Sequence, residues 1–180
     1  MNTKNKNMKT LKVLLLVIFC NILSYSAISQ SNTCKFEINK TDPATNTPIQ
    51  KIKTKLTGTD VFYIYISRTD TTYIFTINFW ISGALREVIE KNEKVSIYLS
   101  GGDILTLASL SRVKPIPHYG DQAWTEYMVD YPIRSEDLEK MKTMKPLSLK
   151  LNVGIEPFNR IFNKNDVERL RDIIRCIMKD

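Results

Sequence analysis

The chain has 180 residues, with 26 Lys and Arg against 19 Asp and Glu, for a net charge of +7. Lys4, Lys6, Lys9 and Lys12 all lie within the first 29 residues, so the remainder carries 22 cationic against 19 anionic side chains, a net of +3. That is an ordinary solvated surface for a one-domain length, and it excludes the strongly basic face that nucleic acid or an anionic lipid surface would require.

The four lysines lead into the apolar run Leu11–Phe19 and then into small and polar residues ending Ser26-Ala27-Ile28-Ser29-Gln30. This is the pattern of an export signal. Crossing a bilayer takes about 20 apolar residues, whereas this run is broken by Cys20-Asn21 and by Ser24-Tyr25-Ser26. Ala27 and Ser29 supply the small side chains a signal peptidase needs, so residues 1–29 are expected to be the leader and Gln30 the new terminus. The membrane then enters only through the leader before cleavage, and the destination is secreted or periplasmic. Phe19, directly before Cys20, is too large for a lipidation site.

Cys34 and Cys176 remain after the leader, one at each end of residues 30–180. An exported cysteine pair is expected to be bridged. Closing so long a loop stabilises the fold by roughly 5 kcal/mol on the chain-entropy model. A redox or nucleophilic thiol would need a C-x-x-C arrangement or an activating histidine nearby, and neither is present.

Val61–Ser67 reads as a strand, joined by Arg68-Thr69-Asp70-Thr71 to a longer one in which Tyr73, Phe75, Ile77, Phe79 and Ile81 alternate with more polar positions. Lys94–Leu99 and Ile104–Ala108 form a second hairpin around Gly101-Gly102, with Leu99 expected opposite Ile104 and Ile97 opposite Thr106. Ala123–Tyr131 alternates again, and Pro132 follows where a strand would leave the sheet.

The period then changes. Ser135 is placed to cap a short helix with Glu136 and Asp137 in its first turn, Leu138 and Met141 inward, and Pro146 as its stop. Leu147, Leu149, Leu151 and Val153 mark one buried face of a further strand bounded by Gly154. A last helix is expected from Asn165, with Glu168 completing a capping box and Val167, Leu170, Ile173, Ile174 and Ile177 on one stripe. The fold class is therefore α+β: a largely antiparallel sheet with a short helix and an amphipathic C-terminal helix packed on it, in a single domain over 30–180.

The segment Asn92–Leu107, followed by Tyr131-Pro132-Ile133-Arg134-Ser135-Glu136-Asp137-Leu138 and Leu147-Ser148-Leu149-Lys150-Leu151, resembles small uncharacterised exported bacterial proteins. A glycine-turn hairpin, a Tyr-x-x-x-Ser-x-x-Leu helix start and a C-terminal helix ending near a cysteine recur in them. The resemblance covers the C-terminal half. It implies a fold and an exported location, and it carries no catalytic or ligand residue to this chain.

Catalytic constellations are sparse. The one histidine, His118, lies in Lys114-Pro115-Ile116-Pro117-His118-Tyr119-Gly120-Asp121, which reads as a solvated loop. A structural zinc site needs about four ligands at set spacings, and Gly101-Gly102 lacks the lysine and following helix of a phosphate loop. Glu126 and Asp130 share a strand face, but about 13 Å of backbone separates them, wide for a pair of glycosidase acids. Glu87, Glu90 and Glu93 are interleaved with Arg86, Lys91 and Lys94 as a mixed-charge connection.

The aromatics lean toward recognition. Trp80 stands on the more polar face of its strand, and Tyr119, Trp124 and Tyr127 gather around the proline-rich loop. These four form a candidate binding surface, unless a helix covers that face and makes them core. The reading is an exported, non-catalytic binding or structural domain for a protein, peptide or glycan, with no cofactor, no metal and no catalytic residue. The alternative is a small secreted hydrolase using dispersed carboxylates.

Overall fold

Residues 34–58, 61–153 and 156–179 are described by a computed structural model. The expected leader, Cys20, Gln30 and Gly154 lie outside the described residues.

Among the described residues, ten strands and two helices run in the order β1 (Phe36–Thr41), β2 (Pro48–Lys55), β3 (Phe62–Thr69), β4 (Thr72–Ser82), β5 (Lys94–Leu99), β6 (Ile104–Ala108), β7 (Ile116–His118), β8 (Trp124–Ile133), α1 (Ser135–Thr143), β9 (Pro146–Val153), β10 (Glu156–Ile161) and α2 (Lys164–Ile177). The strands form two sheets rather than one. A six-stranded sheet has the order β1-β2-β3-β4-β8-β7, and a four-stranded sheet has the order β10-β9-β5-β6. Every pairing within them is antiparallel.

Alternation in β3 and β4 sends Phe62, Ile64 and Ile66, with Tyr73, Phe75, Ile77 and Phe79, to one buried face. Asp70 and Thr71 alone turn the chain between these strands, with Asp70 at φ +55°. In the centre, Phe79 stacks on Tyr127 of β8 at 5.3 Å and meets Phe158 of β10 at 4.8 Å, which ties the two sheets into one core.

Three local expectations are corrected. In the second hairpin Tyr98 pairs with Ile104 and Ile97 with Leu105, one residue off the expected register. The Leu99 N–H donates to the Asp103 carbonyl at 2.8 Å, closing a longer turn in which Gly101 and Gly102 adopt φ of +94° and +92°. This register puts Val95, Ile97, Leu105 and Leu107 on one buried face, which the expected pairing would have split. Ser135 is the first helical residue of α1 and not its cap, a position held by Arg134 with no side-chain capping bond. Pro146 opens β9, and Leu147 is 47% exposed because the inward face of that strand is Pro146, Leu149, Leu151 and Val153.

The cap of α2 lies two residues before the expected one, Asn165. Asn163 is its cap, accepting from the Asp166 N–H at 2.9 Å, while the Asp166 carboxylate accepts from the Asn163 N–H. Asp166, 1% exposed, also accepts from the Thr57 N–H and hydroxyl, both at 2.7 Å. One carboxylate thus completes the capping box and anchors the helix to the segment after β2. Val167, Leu170, Ile173, Ile174 and Ile177 are buried, and the helix contacts β2, β3 and α1. Cys176, near its end, is bonded to Cys34 beside β1, with Cα atoms 5.6 Å apart.

Candidate functional site

The face of the six-stranded sheet that points away from this core is where recognition chemistry collects. Strand register sets its rows. Lys55, Tyr63, Asn78 and Met128 lie across β2, β3, β4 and β8 in one row, and Lys53, Tyr65, Thr76 and Asp130 in the next. Trp80 opposite Glu126, then Ser82 opposite Trp124, continue the face toward β7. Lys53, Lys55, Met128 and Asp130 at the row ends are solvent-exposed, Tyr63 and Tyr65 are half-buried, and Asn78 and Thr76 between them are buried.

Three zones follow, two charged and one aromatic. The β2 side is cationic, with Lys51 over the Tyr65 ring at 4.6 Å and Lys55 over Tyr63 at 5.8 Å. Lys53 forms an ion pair with Glu37 of β1, and that hydrogen bond holds its ammonium above the usual lysine value. The centre is aromatic, with Tyr63 and Tyr65 6.3 Å apart; burial pushes the Tyr65 phenol up. The β8 side is anionic, with both acids held in place. Asp130 accepts from the Thr76 hydroxyl at 2.6 Å. Glu126 accepts from the Asn78 amide at 2.7 Å on one oxygen and from His118 Nε2 at 2.9 Å on the other.

His118 is therefore not a solvated loop residue. It closes the edge strand β7, paired with Trp124, and its ring stacks on Trp80 at 4.6 Å with an interplanar angle of 11°. Pro117 is accommodated because β7 is an edge strand, where a missing N–H costs no ladder bond. Trp80, His118, Glu126 and Asn78 thus form one network of stacked and hydrogen-bonded groups. It fixes an aromatic plane beside a carboxylate whose two oxygens are oriented.

The four aromatics read from the sequence separate. Trp80 and Trp124 share the outer face, diagonal to one another across β4 and β8. Tyr119 is 78% exposed and lines a groove on the side of β7 away from His118. Tyr127 is a core residue, a correction to its place in the candidate surface. It is fully buried, and its hydroxyl donates to the Glu87 carbonyl at 2.9 Å. Burial, with the Glu87 charge in support, pushes its phenol up to about 12.

Tyr63, Tyr65 and the three lysines were missing from that sequence reading although a signal was present. If Phe62, Ile64 and Ile66 face inward, Tyr63 and Tyr65 must face outward. The His118–Trp80 contact has no such local signal, since it depends on β7 pairing with β8.

Among the described residues no group of three or more His, Cys, Asp or Glu side chains converges to hold a metal ion, and no helix is long and apolar enough to cross a membrane. Comparison with protein-family models, with curated proteins and with solved structures returned no match.

Proposed function

We propose that this chain is an exported, non-catalytic domain that binds a glycan on the outer face of its six-stranded sheet. One observation carries the reading: the Trp80–His118–Glu126–Asn78 network presents a flat aromatic surface next to pre-oriented acceptors, with Tyr63 and Tyr65 continuing it. Sugar rings offer apolar C–H faces for aromatic stacking and hydroxyls for carboxylate, amide and ammonium partners, and this face alternates those groups along and across its strands.

Binding is favoured over hydrolysis by what the acids already do. Glu126 and Asp130 each support a neighbouring side chain, and about 13 Å of strand lies between them. The carboxylates also disfavour a phosphate backbone on this face. The Cys34–Cys176 bond supports an oxidising destination, consistent with cleavage after Ser29. The stripe of α2, an amphipathic helix in this reading, packs on β2 and β3 from the core side.

Screening the exported protein on a glycan array, followed by titration of the best neutral oligosaccharide with tryptophan fluorescence as readout, tests the proposal. Trp80→Ala and Tyr65→Ala should each weaken binding about tenfold or more. Absence of any glycan binding by the wild-type protein would defeat the reading. Intact-mass analysis of the same preparation should give a chain beginning at Gln30.

A further inference from the structure

On the other side of β7 lies a second, separate feature. Residues 83–89 cross from β4 toward β5 without joining a sheet strand, yet polar contacts pin them from below. The Leu85 N–H donates to the Thr125 hydroxyl at 2.8 Å, and that hydroxyl donates to the Gly83 carbonyl at 2.6 Å. Tyr127 holds the Glu87 carbonyl, and Ile89 forms a two-way backbone bridge with Val113. Thr125 and Tyr127 are both fully buried, so this segment is fixed by the core. The facing wall, Lys114 to Tyr119, is stiffened by Pro115 and Pro117.

Between the two walls is an open groove of about 420 Å3, within the size range of small-molecule sites. Leu85, Val88, Pro115 and Pro117 supply apolar lining, and Arg86, Lys114 and Tyr119 stand around it. The local acids are otherwise engaged. Glu87 accepts from the Arg86 backbone N–H at 2.9 Å, and Glu90 is paired with Arg112 at 3.2 Å. Among the described residues, no carboxylate pairs with the Arg86 guanidinium or the Lys114 ammonium.

The geometry points to a binding site for an aliphatic carboxylate of fatty-acid type, with its tail along the Leu85–Val88–Pro115–Pro117 lining and its carboxylate between Arg86 and Lys114. Charge complementarity selects the head group, because two cations without anionic partners flank an apolar surface. The backbone selects the tail. The N–H groups of Leu85, Arg86 and Ile89 are already bonded, and Pro115 and Pro117 have none. Leu85, Arg86, Pro115 and Pro117 thus offer a ligand no free backbone N–H, and a hydrocarbon chain needs none. This site does not depend on the glycan reading.

The test is titration of the disulfide-intact mature protein with decanoate, kept below its micellar concentration, followed by amide NMR. Saturable shifts confined to residues 84–88 and 114–119 are expected. Octanoate should bind more weakly, by up to about fourfold for each methylene removed, and neutral 1-decanol at least about tenfold more weakly than decanoate. The double variant R86Q/K114Q, which changes two exposed side chains and should keep the wild-type spectrum elsewhere, should lose about tenfold in decanoate affinity. Absence of saturable shifts, shifts centred elsewhere, equal binding of 1-decanol, or full affinity in the double variant would each overturn the assignment.

Discussion

Tyr127 and Tyr131 point into the core from the same face of β8, but their hydroxyls meet different fates. Tyr127 donates to the Glu87 carbonyl, while the Tyr131 hydroxyl is buried without a hydrogen-bond partner among the described residues. Removing a satisfied buried hydroxyl strands its acceptor, whereas removing an unsatisfied one relieves a desolvation penalty. Tyr127→Phe should therefore cost about 1 kcal/mol in urea denaturation, and Tyr131→Phe should be neutral or stabilising by a similar amount. The same residues set an alkaline limit. Burial raises both phenols, that of Tyr127 to about 12, above an unfolded value of about 10. With folded values raised, their contribution is intact below about pH 10 and is lost as pH climbs toward about 12. Denaturation midpoints should hold steady up to about pH 10 and fall beyond it, and a midpoint unchanged at about pH 12 would contradict the burial of these hydroxyls.

Helix α2 depends on an attachment as well as on its stripe. Leu170 is fully buried, and Leu170→Ala should cost roughly 2 to 5 kcal/mol, against about 0.5 kcal/mol or less for exposed Glu168→Ala. Asp166→Ala removes the carboxylate half of the capping box and leaves the Thr57 N–H and hydroxyl without their acceptor, for an expected loss of about 2 to 3 kcal/mol. Both effects are measurable as shifts in thermal midpoint. Arg171, which the sequence places off the stripe, is no neutral control, since its Nε donates to the Lys142 carbonyl at 2.8 Å and links the two helices. The helix could be read from sequence because its period is local. Its start could not, because Asn163 with Asp166 and Asn165 with Glu168 both fit a capping box, and the Thr57 contact that marks Asp166 lies 109 residues away. The hairpin register failed for a related reason: two adjacent glycines permit turns of several lengths, and only burial of Ile97 beside Leu105 selects one.

At the scale of the whole molecule, the antiparallel α+β class and the Cys34–Cys176 pairing were legible, one from alternation and one from export logic. The division into two sheets was not, because it rests on which strands stay unpaired. Nor was the site, which is assembled by register across β2, β3, β4, β8 and β7, so that Trp80 and His118 meet although 38 positions separate them in the chain. Replacing both Cys34 and Cys176 by Ser should cost about 2 to 5 kcal/mol, read as a lower denaturation midpoint. The bridge also has a mechanical consequence. Its cysteines are 142 positions apart in sequence but 5.6 Å apart in space, so tension applied from outside the pair runs through one covalent link and leaves every strand slack. Stretched singly between handles attached beyond the two cysteines, the oxidised protein should show no unfolding step from the enclosed strands. After reduction the same pull should peel the sheets apart and release about 500 Å of chain.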